Sequence, residues 1–118
     1  MNETFAPQER IRKKKDFLHL YKKGRRYRGK YFNLIYLSSD SSFSRMAVVT
    51  SKKVGNAVKR NKIKRWIRTL FRRNKDLLKN SFDIIIIAKK EILEASWLKL
   101  QEDYFAAIKS ICQKKKSL

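Results

Sequence analysis

Proline, cysteine and histidine each occur once and glycine only three times among 118 residues. A single Cys112 cannot build an internal disulfide framework and fits a reducing compartment. One His19 and one Cys112 cannot supply the ligand cluster that a transition metal needs, so no metal site is expected in the polypeptide. His19 reads as a surface residue. A nucleophilic triad requires a positioned base, and none is in view. Glu102 and Asp103 are adjacent in a helical stretch, so they diverge and make no acid/base pair. Gly55 stands alone where a phosphate-cradling loop needs several glycines at fixed spacing. Long apolar runs are missing too: residues 84–87 are four isoleucines followed by Ala88, against the roughly 20 residues that span a bilayer. No apolar segment follows Met1 as a signal peptide would. Secretion, a membrane span and catalytic residues are therefore not expected, and a cytoplasmic location is.

Acids are scarce. Ten Asp and Glu face 31 Lys and Arg, for a net charge of +21. Residues 10–75 hold 23 of the basic residues and only Asp16 and Asp40. That segment carries the whole net charge, whereas residues 76–118 are nearly balanced. Such a field resists compaction through self-repulsion unless a polyanion neutralises it. Nucleic acid is the first candidate partner and an anionic lipid surface the second. A chain this long makes one domain, residues 1–118, able to bury roughly two-thirds of its unfolded surface. With 42% hydrophobic and 12% aromatic residues it is not a disordered basic tail.

Residues 1–9 contain the sole proline and no periodicity, which predicts a loose arm. Phe17, Leu18, Leu20 and Tyr21 predict a helix over 15–23, with Gly24 stopping it in a left-handed cap. Residues 31–37 have strand composition, 38–44 read as a polar turn, and 45–53 as a second strand, so these two are expected to form an antiparallel hairpin. After Gly55-Asn56, the spacing of Ile63, Trp66, Ile67, Leu70 and Phe71 predicts a helix over 57–75 with one apolar face. Residues 82–88 read as a buried strand and 96–113 as a final helix, with 114–118 a solvated basic tail. The order suggests an α+β domain, a two-layer sandwich of helices on one sheet. The general chain rule predicts a right-handed crossover between residues 45 and 88 if those strands are parallel.

Residues 52–73 hold ten Lys and Arg and no acid. A merely solvated helix face would intersperse acids for i, i+4 pairing, and there are none. Asn61, Lys64, Arg65, Arg68 and Arg72 fall within an arc of about 100°. A homeodomain-type reader helix does not fit, since that motif places Asn after the Trp in a domain without a sheet.

The sequence Lys52-Lys53-Val54-Gly55-Asn56-Ala57-Val58-Lys59-Arg60-Asn61, continuing to Lys64, Arg65 and Arg68, closely resembles the RNR signature of the bacterial ribonuclease P protein family. Asp16-Phe17 with Tyr21 and Gly24 is similar to that family's first helix, and residues 82–88 to its last strand. The resemblance implies an α-β-β-β-α-β-α order with a four-stranded sheet and a left-handed crossover, in place of the right-handed default. It implies that the chain assists a catalytic RNA subunit, which requires Mg²⁺, in removing the 5′ leader from precursor tRNA. The partners implied are that RNA subunit and precursor tRNA, with no membrane. RNA-binding residues are then Lys52, Lys53, Asn56, Arg60, Asn61, Lys64, Arg65 and Arg68, with Arg72 added by helical geometry. The leader is expected between the first helix and the sheet, with Phe17, Tyr21 and Tyr36 as contacts. Alternation groups Phe32, Leu34 and Tyr36 on one strand face and Tyr31, Asn33, Ile35 and Leu37 on the other, leaving open which face meets the leader. Trp66 and Phe71 are expected in the core. The rival reading is a basic ribosomal or other structural RNA-binding protein.

Overall fold

The computed structural model describes residues 5–116. Helix α1 spans Lys14–Lys23, followed by strands β1 (Arg25–Arg28), β2 (Phe32–Ser38) and β3 (Arg45–Val49). Helix α2 (Ala57–Arg73), strand β4 (Phe82–Ala88) and helix α3 (Trp97–Lys116) complete the domain. This is the expected α+β domain with one four-stranded sheet.

The sheet order is β1-β2-β4-β3, with β4 antiparallel to β2 and parallel to β3. The expected β2–β3 hairpin is therefore absent, because β4 lies between them. β4 is the most apolar strand and is buried along most of its length, so it takes the centre of the sheet. The serine-rich loop between β2 and β3 holds it there. Ser39 N–H donates to the Ser81 carbonyl at 2.9 Å, and Phe82 N–H donates to Ser44 Oγ at 2.9 Å.

Strand β3 ends at Val49 rather than reaching residue 53. A 3₁₀ turn over Lys52–Val54 follows, then Gly55 at φ 144°. That angle suits glycine and strains any other residue. Gly24 does stop α1, but at φ −69° it is not a left-handed cap. Its role is close approach: a Cβ there would sit 2.5 Å from both Ile35 Cγ2 and the Leu20 carbonyl oxygen.

Period-two alternation divides the sheet into two faces. Leu34, Tyr36, Met46, Ile84 and Ile86 face the main core, which α2 fills with Ile63, Ile67, Leu70 and Phe71 and α3 with Leu100, Tyr104, Ile108 and Ile111. Ile35, Ala47 and Ile85 face outward and meet Leu20 of α1 and Ile11 in a smaller cluster. The molecule is thus a sandwich of sheet against α2 and α3, with α1 laid over part of the outer face. Arg45 ties α1 down. It grips Asp83 bidentately at 2.7 and 3.0 Å and reaches Asp16 at 3.4 Å.

The N-terminal arm is not loose over its described part. Phe5 packs edge-on against Phe71 with centroids 5.5 Å apart. Glu9 is buried, accepts the Ala6 N–H at 2.8 Å and pairs with Lys75 at 2.7 Å. Ile11 N–H donates to the Met46 carbonyl at 3.2 Å, so the arm runs along the free edge of β3. Residues 1–4 of the expected arm lie outside the described residues. At the other end α3 continues through Lys116, past the expected stop at 113, so the basic tail begins as helix.

Candidate RNA interface

Helix α2 starts where Asn56 caps it: its Oδ1 accepts the Lys59 N–H at 3.0 Å. A capping side chain satisfies one of the orphan donors of the first turn. The apolar face is buried, which fixes the rotation of the helix and turns the cationic residues outward. Lys59, Asn61, Arg65 and Arg68 are exposed, as are Lys52, Lys53 and Asn56 before them. Arg60, Lys64 and Arg72 are half-buried along the flanks. Trp66 packs against the core and edge-on to Trp97 at 5.5 Å, with Lys62 Nζ 4.6 Å from its ring centre. Trp66 and Phe71 thus occupy the expected core positions.

Among the described residues, the ion pairs are Arg45–Asp16, Arg45–Asp83 and Lys75–Glu9. No cation of α2 takes part in any of them. Partial desolvation of its guanidinium, and then the positive charge of Arg10, lowers the hold of Arg68 on its proton. Like charges crowd this helix, and no carboxylate among the described residues pairs with them.

The second surface is the outer face of the sheet. Register aligns Arg26, Ile35, Ile85 and Ala47 in one rung across the four strands, beneath Leu20 of α1. The neighbouring rung is Arg28, Asn33, Ile87 and Val49. It is only half covered, with Arg28 exposed. Phe17 sits half-buried at the rim of the small cluster, and Tyr21 is exposed on α1. A partly open floor with a cation at one end and an aromatic at its wall suits single-stranded nucleic acid, which needs stacking faces beside positive charge.

Tyr36, expected in this cleft, is elsewhere. It is 4% exposed, faces the α2/α3 core, and meets Phe82 edge-on at 6.1 Å. The cause is strand parity: once Leu34 is in the core, residue 36 is too. The open rung was the part that sequence reasoning missed. Parity with Ile35 could have placed Asn33 there, but Ile87 and Val49 join it only through the long-range register of β4. Among the described residues Asn33 Oδ1 is buried without a hydrogen-bond partner, between Arg28 and Ile87 in the register. Among the described residues no three His, Cys, Asp or Glu side chains gather as a metal site would require, and no helix is long and apolar enough to cross a membrane.

Fold and surfaces together define a small basic α+β RNA-binding protein, with one cationic helix and one half-open sheet face. Comparison with known proteins narrows this class. A family model described as Ribonuclease P matches residues 5–112. The ribonuclease P protein component of Thermotoga maritima is 39% identical over 94 residues, covering 80% of each chain. That of Syntrophus aciditrophicus is 49% identical over 86 residues, covering 73% of this chain and 72% of the relative. The solved RNase P protein of T. maritima superposes with a TM-score of 0.80 at 34% identity, covering 86% of this chain and 96% of that one. The RNase P protein of Staphylococcus aureus gives 0.77 at 34% identity, covering 88% and 94%. The chain belongs to the ribonuclease P protein family. Its function is accordingly in tRNA 5′-leader processing, as part of an endoribonuclease that works with an RNA subunit.

Proposed function

We propose that α2 docks on the RNA subunit while the half-open rung beside α1 holds the 5′ leader of precursor tRNA. The observation that carries this reading is the uncompensated charge of α2. Its apolar side is committed to the core, and among the described residues its cations form no ion pair with an acid. Bringing a polyanionic substrate to a polyanionic catalyst is electrostatically costly. A +21 protein at their junction lowers that cost and releases counterions from both RNAs. Arginine forks on α2 grip phosphate oxygens bidentately, and the lysines add less directional charge. On the outer face, Phe17 and Tyr21 offer stacking surfaces to unpaired bases, and Arg28 offers a contact to the backbone.

Mg²⁺ ions held by the RNA subunit would supply the hydrolytic chemistry, stabilising the attacking and leaving oxygens. The protein's residues bind and orient. The site we propose for this work is the cytoplasm, with precursor tRNA. The test is to mix the protein with its cognate RNA subunit and precursor tRNA at low Mg²⁺ and measure leader release. Protein-dependent cleavage is expected, and the same rate with and without protein would refute the proposal.

A further inference from the structure

The arm of residues 5–11 lies beside the RNA-binding helix, and the function proposed above gives it no part. Phe5 is seated on Phe71, and the guanidinium of Arg10 lies 4.8 Å from the centre of the Phe5 ring. Arg68 precedes Phe71 by one turn of α2, so this stack carries Arg10 to the level of Arg68. The backbone around Arg10 is fixed as well, through its bridge to Met46 and the Ile11–Met46 hydrogen bond. Among the described residues, the acids of the arm and of the strands beside it are engaged elsewhere. Glu9 pairs with Lys75 and accepts the Ala6 N–H, and Asp16 and Asp83 both bind Arg45.

We propose that Arg10, delivered by the docked arm, joins Arg68 to grip one phosphodiester of RNA between two guanidinium forks. Folding brings two like charges together here, and among the described residues neither forms an ion pair. At Arg68 the proton is held less tightly, through partial desolvation and then the charge of Arg10. A bridging anion reverses that repulsion, and two forks can satisfy its oxygens with charge-assisted hydrogen bonds. Arm docking then prepares the RNA-binding surface as well as covering the β3 edge. The inference rests on the reading of α2 as an RNA-binding helix. The phosphate belongs to the RNA subunit or to precursor tRNA, which share this chemistry.

The test is a salt titration of binding by the full chain to each RNA separately. The variants are Arg10→Ala, Arg10→Lys, Arg68→Ala and the Ala double. Arg10→Ala should weaken binding to at least one RNA about ten-fold and reduce the log–log salt slope by about one. Arg10→Lys keeps a cation over Phe5, and so the seat of the arm, but lacks the fork; it should lose several-fold while retaining the slope. Because both arginines hold one phosphate, the double variant should lose less than the product of the single losses. The RNA that responds identifies the source of the phosphate. Unchanged affinity for both RNAs in Arg10→Ala and Arg10→Lys, or strictly multiplicative losses in the double, overturns the pair. Loss on Arg68→Ala alone removes Arg10 and leaves the α2 reading standing, whereas no loss in any variant counts against α2 as well.

Discussion

Phe17 and Tyr36 are both aromatic, and both are near α1 or the sheet in sequence terms, yet the fold gives them opposite duties. Phe17 lines the open side of the small outer cluster. Tyr36 is enclosed on the other side, and its hydroxyl is buried without a partner. Stacking on a base is worth about 1–3 kcal/mol. Phe17→Ala should therefore weaken precursor tRNA binding by roughly five- to a hundred-fold more than mature tRNA binding. Equal losses on the two RNAs in filter-binding assays would remove Phe17 from the leader site. Tyr36→Phe should leave both affinities unchanged and hold or raise stability by up to about 1 kcal/mol, since it deletes an unmatched hydroxyl. Urea unfolding measures the second effect. A third residue sets an alkaline limit. Tyr104 is fully buried, and burial raises its phenol well above the ordinary 10.0. The folded chain thus holds this proton more tightly than the unfolded one, so the contribution is complete below pH about 10 and lost as pH climbs further. Relative to Tyr104→Phe, the protein should lose unfolding free energy only above that pH. Parallel stability curves through the alkaline range would contradict this.

At the scale of the element, α2 combines a buried face that anchors it with an exposed face free of structural duty. Arg65→Ala should accordingly impair assembly with the RNA subunit while changing the melting temperature little. A large fall in melting temperature would show the side chain to be structural. Elements defined by local pattern were legible in the sequence. β4 begins and ends at Phe82 and Ala88 as expected, because the apolar run of residues 84–88 fits a strand buried on both faces. α2 starts at Ala57 because Gly55 and Asn56 are a break and a cap. It stops two residues before the expected end, at Arg73. Asn74 turns out of the helix there, its N–H returning to the Phe71 carbonyl at 3.3 Å and its side chain donating to the Leu70 carbonyl at 2.8 Å. What composition hides is pairing. β1 is Arg-Arg-Tyr-Arg, without apolar alternation, and only its Tyr27 packs against the core; only the family resemblance supplied a fourth strand. Charged edges of this kind also deter further strand addition. The absent hairpin has the same origin. Local order suggested β2 beside β3, but the hydrogen bond from Ser39 to Ser81 and that from Phe82 to Ser44 Oγ admit the later strand between them. The docked arm was hidden because Phe5 and Glu9 find their partners, Phe71 and Lys75, only in three dimensions.

For the whole molecule, the governing quantity is charge. Six to ten phosphate contacts would cost a factor of about 10³–10⁵ in affinity between 50 and 200 mM salt. That fall is expected for the RNA subunit, and a flat titration would mean that something other than phosphate contact holds the complex. Asymmetry matters as much as magnitude. The excess cations cluster from Arg10 to Lys75, and the nearly neutral C-terminal third supplies β4 and α3, which complete the core behind them.

The central place of β4 also sets an order of events during synthesis. Residues 1–81 contain every segment proposed to touch RNA except Ile87, yet β2 and β3 are not neighbours and have no shared ladder until β4 enters between them. A nascent chain that has not yet released residues 82–88 from the ribosome carries a basic helix with no finished sheet to rest on. Folding must wait for a contact between distant parts of the chain, which slows it relative to a locally paired hairpin. The RNA-binding surface therefore matures late and cooperatively, after nearly three-quarters of the protein has been made.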